Sequence, residues 1–228
     1  MPTLLLVRHG RTIANTTGIL AGRSTGIKLD EVGWEQAIRS AERLAAVPLA
    51  SVISSPLERC RQTARAILEH QRVSPATSVE KGITECDYGD WQGQSLQDLA
   101  KEPLWETVQR QPSAVVFPHG EGLGAMQARS VAAIRRHDAA LAEEHGPGAI
   151  WAAVSHGDII KAILADALGM HLDLFQRISV APASVSVIHY GTTRPEVLAM
   201  NTEAGELGWL NGGIPADNAQ IGGGTGHE

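Results

Sequence analysis

The sequence contains only two cysteines, Cys60 and Cys86, and they form neither a CxxC pair nor a disulfide framework. Small secreted domains usually depend on several disulfides, whereas thiols stay reduced in the cytosol. Long apolar runs are missing too. The first run, Leu4 to Val7, is too short for a signal peptide, and none approaches the roughly 20 residues that cross a bilayer. We therefore expect a cytoplasmic protein with no membrane partner.

An excess of positive charge is also absent, since the formal net charge is −6. Proteins that bind nucleic acid through its phosphates usually carry a strongly basic surface, so we expect no nucleic-acid partner. An anionic ligand must then be held by a local positive pocket and not by the field of the whole protein.

The sequence also lacks recognisable metal-binding motifs. Neither HExxH nor the cysteine and histidine spacing of zinc sites occurs in the sequence. A two-metal phosphatase would need several paired aspartates and histidines, and the scattered histidines do not supply them. We expect no metal and no other cofactor.

The chain does have enough material for one α/β domain, because 43% of its 228 residues are hydrophobic. Short apolar runs predict strands, and apolar residues at helical spacing follow them. This alternation predicts a three-layer fold with a mostly parallel central sheet and helices on both faces. The predicted strands are Leu4–Val7, Ser51–Ser54, an edge strand within Val73–Thr84, Ala149–Val154, Ser184–His189 and Glu196–Met200.

Two segments lie outside this pattern. Trp91 to Pro118 predicts short helices interrupted by prolines, and we interpret it as a cap inserted in the domain, covering about residues 91–118. Residues 201–228 are rich in glycine, asparagine and aspartate. Composition therefore places a single domain at 1–200, followed by a partly disordered tail at 201–228.

Polar clusters directly follow the predicted strands, where a parallel sheet presents its ligand site. Arg8-His9-Gly10 follows the first strand, Arg59 lies in SSPLERCRQTA after the second, and Ser155-His156-Gly157 follows the late strand at Ala149–Val154. Glu85 follows the edge strand. We expect these residues to meet at one end of the sheet.

Phosphoryl transfer is the chemistry that this set fits. Arg8, Arg59 and His156 would surround the phosphoryl oxygens and stabilise the charge that spreads over them in the transition state. A neutral His9 could attack phosphorus and hold the phosphoryl group covalently, because neighbouring arginines disfavour the imidazolium. Glu85 could protonate the leaving alkoxide and then activate water.

In this order and spacing, over about Leu4 to Tyr190, these motifs resemble the histidine phosphatase superfamily. The resemblance extends to YGxWxG after Glu85. It is closest to the branch that contains cofactor-dependent phosphoglycerate mutases and broad small-molecule phosphatases, including a subgroup of actinobacterial type described as phosphomutases. It implies a phosphoglycerate mutase-like fold, a small phosphorylated substrate, and either a monomer or a homodimer.

The resemblance also implies roles for individual residues. His9 would be the phosphorylated nucleophile and Glu85 the proton donor. The phosphate-binding residues would be Arg8, Thr12, Asn15, Arg59, His156 and Gly157.

Several positions depart from the mutase pattern. Arg11 stands where mutases usually have glutamate, Cys86-Asp87 replaces Arg-His, and Asp158 replaces asparagine. No Arg-Arg pair occurs between Trp91 and Pro118 to hold a second anionic group. These departures favour hydrolysis, so a metal-independent phosphomonoesterase is the leading interpretation.

Three alternatives stay open on the sequence alone: a phosphomutase with the same phosphohistidine, a non-catalytic module that binds phosphorylated ligands, and a metal-dependent hydrolase. Three further charged residues are given structural interpretations. Asp158 and Glu121 are interpreted as helix-start residues, although the loop that carries Glu121 could also border the site. Arg61 is interpreted as a surface residue facing away from Arg59.

Overall fold

The computed structural model describes residues 2–212. The predicted tail therefore lies outside the described residues from position 213 onward. Across the part of the chain that is described, no helix combines the length and apolar character needed to cross a membrane. The elements are β1 (Thr3–Arg8), α1 (Ile13–Thr16), α2 (Glu31–Leu44), β2 (Ser51–Ser54), α3 (Glu58–His70), β3 (Ala76–Val79), α4 (Leu96–Leu99), α5 (Pro103–Arg110), α6 (Leu123–His145), β4 (Ile150–Ser155), α7 (Gly157–Ala167), β5 (Val185–Tyr190) and β6 (Pro195–Thr202).

The six strands form one sheet in the order β3-β2-β4-β1-β5-β6. The first four strands are mutually parallel, whereas β5 and β6 add an antiparallel edge. The mostly parallel α/β fold predicted from the alternating pattern is thus confirmed. Short 3₁₀ turns complete the connections at Lys81–Ile83, Gly89–Trp91, Pro112–Ala114, Leu172–Arg177 and Gly208–Gly212.

Alternation along the central strand divides the core into two layers. Leu4 and Leu6 pack on one face of β1, in the cluster that also contains the inner sides of α6 and α7. Leu5 and Val7 pack on the other face, with α2 and α3. Successive side chains of a strand point to opposite faces, so a continuous apolar run is what a strand covered by helices on both faces requires.

The packed domain extends beyond the boundary drawn at residue 200. Strand β6 continues to Thr202, and the buried side chains of Leu207 and Leu210 join the α2–α3 layer. The Arg43 guanidinium donates hydrogen bonds to the carbonyl oxygens of Thr202 and Gly205. Composition alone does not reveal this packing, because the buried Leu207 and Leu210 lie among Gly205, Gly208 and Gly212.

Parallel pairing gathers the predicted site residues at one edge of the sheet. Arg8 is in register with Ser155 at the ends of β1 and β4, and Ser54 is in register with Val154 at the end of β2. The three segments that carry arginines and histidines therefore leave the sheet side by side.

The loop after β1 packs unusually closely against the start of α2. A Cβ atom at Gly33 would lie 2.0 Å from the carbonyl oxygen of Arg11, and one at Gly10 would lie 2.3 Å from the carbonyl oxygen of Gly33. Both contacts involve backbone, which cannot rotate away. The two glycines thereby fix the loop that carries His9.

We expect Gly33→Ala to lower the free energy of unfolding by about 1–3 kcal/mol, because the added methyl group forces the backbone apart. Urea denaturation would measure the change. Gly124→Ala is the matched control, since Gly124 also lies in the first turn of a helix but has open space around it. We expect that variant to be neutral or more stable by up to about 1 kcal/mol. Equal stability of Gly33→Ala and wild type would contradict the prediction.

Candidate active site

A cavity of about 350 Å³ opens at the carboxyl ends of the parallel strands. Seven of the eight predicted site residues line it: Arg8, His9, Thr12, Asn15, Arg59, Glu85 and Gly157. The eighth, His156, is fully buried beside His9, with ring centroids 5.3 Å apart in an edge-to-face arrangement. The structure thus brings together residues separated by up to about 150 positions in the chain.

The His9 ring has a defined tautomer. Its Nδ1 lies 2.7 Å from the carbonyl oxygen of Gly10, which can only accept a hydrogen bond, so Nδ1 carries the proton. Its Nε2 accepts a hydrogen bond from Arg59 Nε at 3.2 Å. Burial, and then the positive charges of Arg59 and Arg8, lower the pKa of His9 well below its usual value. The imidazole is therefore neutral near pH 7, with a lone pair on Nε2.

The two arginines beside His9 keep unused hydrogen-bond donors. Arg59 Nη2 donates to the carbonyl oxygen of Gly22 at 2.8 Å, and Arg8 Nη1 donates to that of Val180 at 2.6 Å. Arg59 Nη1 and Arg8 Nε are buried without a partner. Unpaired buried donors are costly and rare in native structures, so this pair indicates a place where an anionic oxygen binds.

The His156 side chain is positioned by Ser55. Its Nε2 lies 2.8 Å from Ser55 Oγ, and its Nδ1 lies 3.8 Å from Glu85 Oε2, beyond hydrogen-bonding distance. Burial and the Arg59 charge lower the pKa of His156 well below its usual value. A neutral His156 can donate one hydrogen bond, from one ring nitrogen at a time.

Glu85 lines the same cavity, and only 9% of its surface is exposed. Burial, and then the negative charge of Asp158, raise the pKa of its carboxyl group to about 7. Its Oε1 accepts a hydrogen bond from the Cys86 backbone N–H at 3.0 Å. A carboxyl group with this pKa can both donate and accept a proton near neutrality.

Asp158 lies in the first turn of α7, as interpreted from the sequence, and it also lines the cavity. The Tyr88 hydroxyl donates a hydrogen bond to Asp158 Oδ2 at 2.9 Å. Asp158 therefore lies in the same cavity as Glu85 and acts on it by charge.

Thr12 and Asn15 form a local capping arrangement at the edge of the cavity. Thr12 is the N-cap of α1, and its hydroxyl donates to Asn15 Oδ1 at 2.9 Å. Gly157, at the start of α7, packs against the guanidinium of Arg8, where an added Cβ atom would lie 3.6 Å from Arg8 Cζ.

Charged residues behind Glu85 form a brace that the sequence interpretation missed. Arg23 Nε and Arg129 Nη2 both donate to the Glu85 carbonyl oxygen, at 2.9 and 3.1 Å. Glu121 joins these two arginines, since its carboxylate accepts from Arg23 Nη2 and Arg129 Nε at 3.0 Å each. The interpretation of Glu121 as a cap was wrong: Gly122 is the N-cap of α6, and no side chain caps that helix.

Arg61 is exposed on α3, as expected from its spacing relative to Arg59.

Among residues 2–212, no group of three or more histidine, cysteine, aspartate or glutamate side chains is arranged to hold a metal ion.

Nine large apolar side chains also line the cavity. We call this surface the apolar wall; it comprises Ile19, Leu20, Trp91, Leu96, Trp105, Val108, Phe117, Leu123 and Val180. Five of these nine residues lie in the segment from Trp91 to Pro118.

Comparison with known proteins agrees with this geometry. The profile of the histidine phosphatase superfamily (branch 1) matches residues 4–203. The chain therefore belongs to the histidine phosphatase superfamily.

The names of individual relatives refer to several different substrates. Phosphoserine phosphatase 1 of Hydrogenobacter thermophilus is 30% identical over 204 residues, which cover 88% of this chain and 92% of that protein. A fructose-2,6-bisphosphatase of Xenopus tropicalis is 33% identical over 129 residues, 56% of this chain and 46% of that protein. This chain thus spans about half the length of some of the curated relatives that it matches. The crystal structure of an α-ribazole phosphatase from Shigella flexneri superposes with a TM-score of 0.75 at 26% identity, covering 89% of this chain and 97% of that one.

Proposed function

We propose that this protein is a metal-independent phosphomonoesterase that acts on a small phosphorylated metabolite through a phosphohistidine at His9. One observation carries the proposal: a neutral imidazole nitrogen lies beside two buried guanidinium groups that each keep an unpartnered donor. A dianionic phosphoryl group supplies the oxygens that these donors lack.

In the proposed first step, Arg8 and Arg59 bind the non-bridging oxygens of the phosphoryl group, and His156 donates a further hydrogen bond. The Nε2 lone pair of His9 attacks phosphorus as the bond to the leaving oxygen breaks. The Gly10 carbonyl oxygen accepts a hydrogen bond from Nδ1–H throughout, so the ring stays in the reactive tautomer. The arginines stabilise the charge that accumulates on the equatorial oxygens.

Glu85 transfers the proton both when the alcohol leaves and when water attacks the phosphohistidine. Its carboxyl group gives a proton to the departing alkoxide and then takes one from the water that attacks the phosphohistidine. The products are the free alcohol and inorganic phosphate, and His9 and Glu85 return to their starting states. The brace formed by Arg23, Arg129 and Glu121 holds the Glu85 backbone in place for this exchange.

The first test is an activity screen against phosphorylated metabolites, run in excess EDTA. It measures both free phosphate and the interconversion of 2- and 3-phosphoglycerate. Phosphate release that persists in EDTA supports the proposal. Interconversion without release would identify a phosphomutase, loss of activity in EDTA would identify a metal-dependent hydrolase, and tight phosphate binding without turnover would identify a binding module.

We expect Glu85→Gln to discriminate between leaving groups. The rate with alkyl phosphates should fall by about 10²- to 10³-fold because their alkoxides need a proton, whereas p-nitrophenyl phosphate should lose less than about 10-fold. Steady-state kinetics with both substrates measure this difference. Glu69→Gln, an exposed change in α3, is the control. Equal losses for the two substrates would remove Glu85 as the proton donor.

The pH dependence follows from the same residue. As an acid, Glu85 must be protonated, and its pKa is raised to about 7. Turnover of alkyl phosphates limited by this step should therefore fall as pH rises through about 7. Protonation of His9 should impose no loss near neutrality, because its pKa is lowered. A pH–rate profile without the descending limb in wild type would contradict this assignment.

A further inference from the structure

The apolar wall is more extensive than a phosphoryl site requires. The cavity of about 350 Å³ falls at the lower end of the roughly 300–1,000 Å³ typical of small-molecule sites. The phosphoryl group occupies the end with Arg8, His9 and Arg59. The alcohol part of the substrate must then lie against the wall.

Two tryptophans form the flat part of this wall. The rings of Trp91 and Trp105 are stacked, with centroids 6.1 Å apart and planes inclined by 26°. Trp91 is only 5% exposed and is fixed by Phe117, whose ring meets it edge to face at 5.3 Å. Trp105, on α5, is only partly buried. A rigid aromatic surface of this kind favours planar or apolar groups.

Positive charge for a second anionic group is not available in the cavity. Of the described residues that line it, the cations are Arg8, Arg59 and Lys161. Lys161 Nζ lies 3.4 Å from Asp158 Oδ1 and 3.0 Å from Gln176 Oε1, so its charge is already compensated. A second phosphate or a carboxylate would meet Asp158 and Glu85 without a free cation.

We propose that the substrate is a monophosphate whose alcohol carries an uncharged, planar or apolar group that packs on the apolar wall against Trp105. This inference rests on the proposed function and narrows its substrate class. It excludes bisphosphates and phosphorylated carboxylic acids as preferred substrates. The segment at residues 91–118, which we propose to be a cap, supplies most of the selecting surface.

The test compares substrates that all release an aliphatic alcohol, so that demand on the proton donor is similar. These are 2-phenylethyl phosphate, propyl phosphate and 3-phosphoglycerate, with p-nitrophenyl phosphate as a general probe. We expect wild-type kcat/KM for 2-phenylethyl phosphate to exceed that for each of the other two aliphatic esters by about 10- to 100-fold. A ratio near one, or a preference for 3-phosphoglycerate, would overturn the inference.

Trp105→Ala should lower the ratio of kcat/KM between 2-phenylethyl and propyl phosphate by about 10-fold, and Trp105→Phe should restore part of it. Glu106→Ala, an exposed change on the same helix, should leave the ratio unchanged. If Trp105→Ala does not fold, Leu96→Ser serves instead, because Leu96 lines the wall but is 40% exposed. An unchanged ratio in the folded wall variant would overturn the role of the wall.

The two proposals fail in different ways. Turnover of p-nitrophenyl phosphate and propyl phosphate without a preference for the phenylethyl ester would refute the substrate class and leave the phosphatase proposal standing. No phosphate release from any of the four esters would refute the phosphatase proposal and the inference together.

Discussion

His9→Ala is expected to abolish turnover, with kcat falling by at least about 10³-fold for every substrate. Among the described side chains, His9 combines a neutral imidazole with an Nε2 lone pair that faces the Arg59 guanidinium. Without the nucleophile, water must attack a phosphoryl group held only by the arginines. That reaction is still helped by the positive charge of the arginines. It no longer passes through the phosphohistidine, which splits one high barrier into two lower ones.

The His9 prediction has a direct chemical readout. Wild-type protein quenched during turnover of a ³²P-labelled substrate should carry acid-labile, alkali-stable label, and His9→Ala should carry none. His70→Ala, at the end of α3 and away from the cavity, controls for the loss of an imidazole. Because His9 is buried, circular dichroism must show that the variant is folded. Near-wild-type turnover in folded His9→Ala would refute the mechanism.

The sequence predicted the part of the site that depends on strand ends. Arg8, Arg59 and the Ser155–Gly157 stretch each lie at or shortly after the end of a strand, and parallel pairing brings the ends of such strands together. The core was predictable for a related reason. The uninterrupted apolar run at Leu4–Val7 is what a strand covered on both faces requires.

The rest of the site depends on contacts that sequence spacing does not encode. Arg23 and Arg129 reach the Glu85 carbonyl oxygen from 62 and 44 residues away. Neither arginine lies in a motif, and Glu121 directly precedes Gly122, the N-cap of α6. Their roles follow only from the packing of α6, and of the loop that carries Arg23, against the segment around Glu85.

Arg59→Met is expected to separate activity from stability. We expect kcat/KM to fall by about 10³-fold, because one side chain stops binding the phosphoryl group and stops stabilising its transition-state charge. The affinity for orthovanadate, a phosphoryl mimic, should fall in parallel. Arg59→Lys should recover only part of the loss, since an ammonium group keeps the charge but not the planar arrangement of donors.

The stability of the Arg59→Met variant should change much less than its activity. Arg59 is 2% exposed, and its Nη1 has no partner. Replacing a buried cation by an apolar side chain of similar length is often neutral or favourable, although the Gly22 carbonyl loses its donor. We expect the free energy of unfolding to stay within about 1 kcal/mol of wild type. Arg61→Met, two residues along the same helix and exposed, should change neither property.

The comparison of Arg59→Met with Arg61→Met therefore tests why a buried, incompletely paired arginine is present. If Arg59 served the fold, urea denaturation would show a large loss of stability, and vanadate affinity would fall only with the folded fraction. If it serves phosphoryl transfer, a stable protein loses vanadate binding and turnover together. We expect the second result, because both unpaired donors, Nη1 of Arg59 and Nε of Arg8, belong to side chains that line the same cavity as His9. An anion bound there would satisfy both donors, and the fold alone satisfies neither.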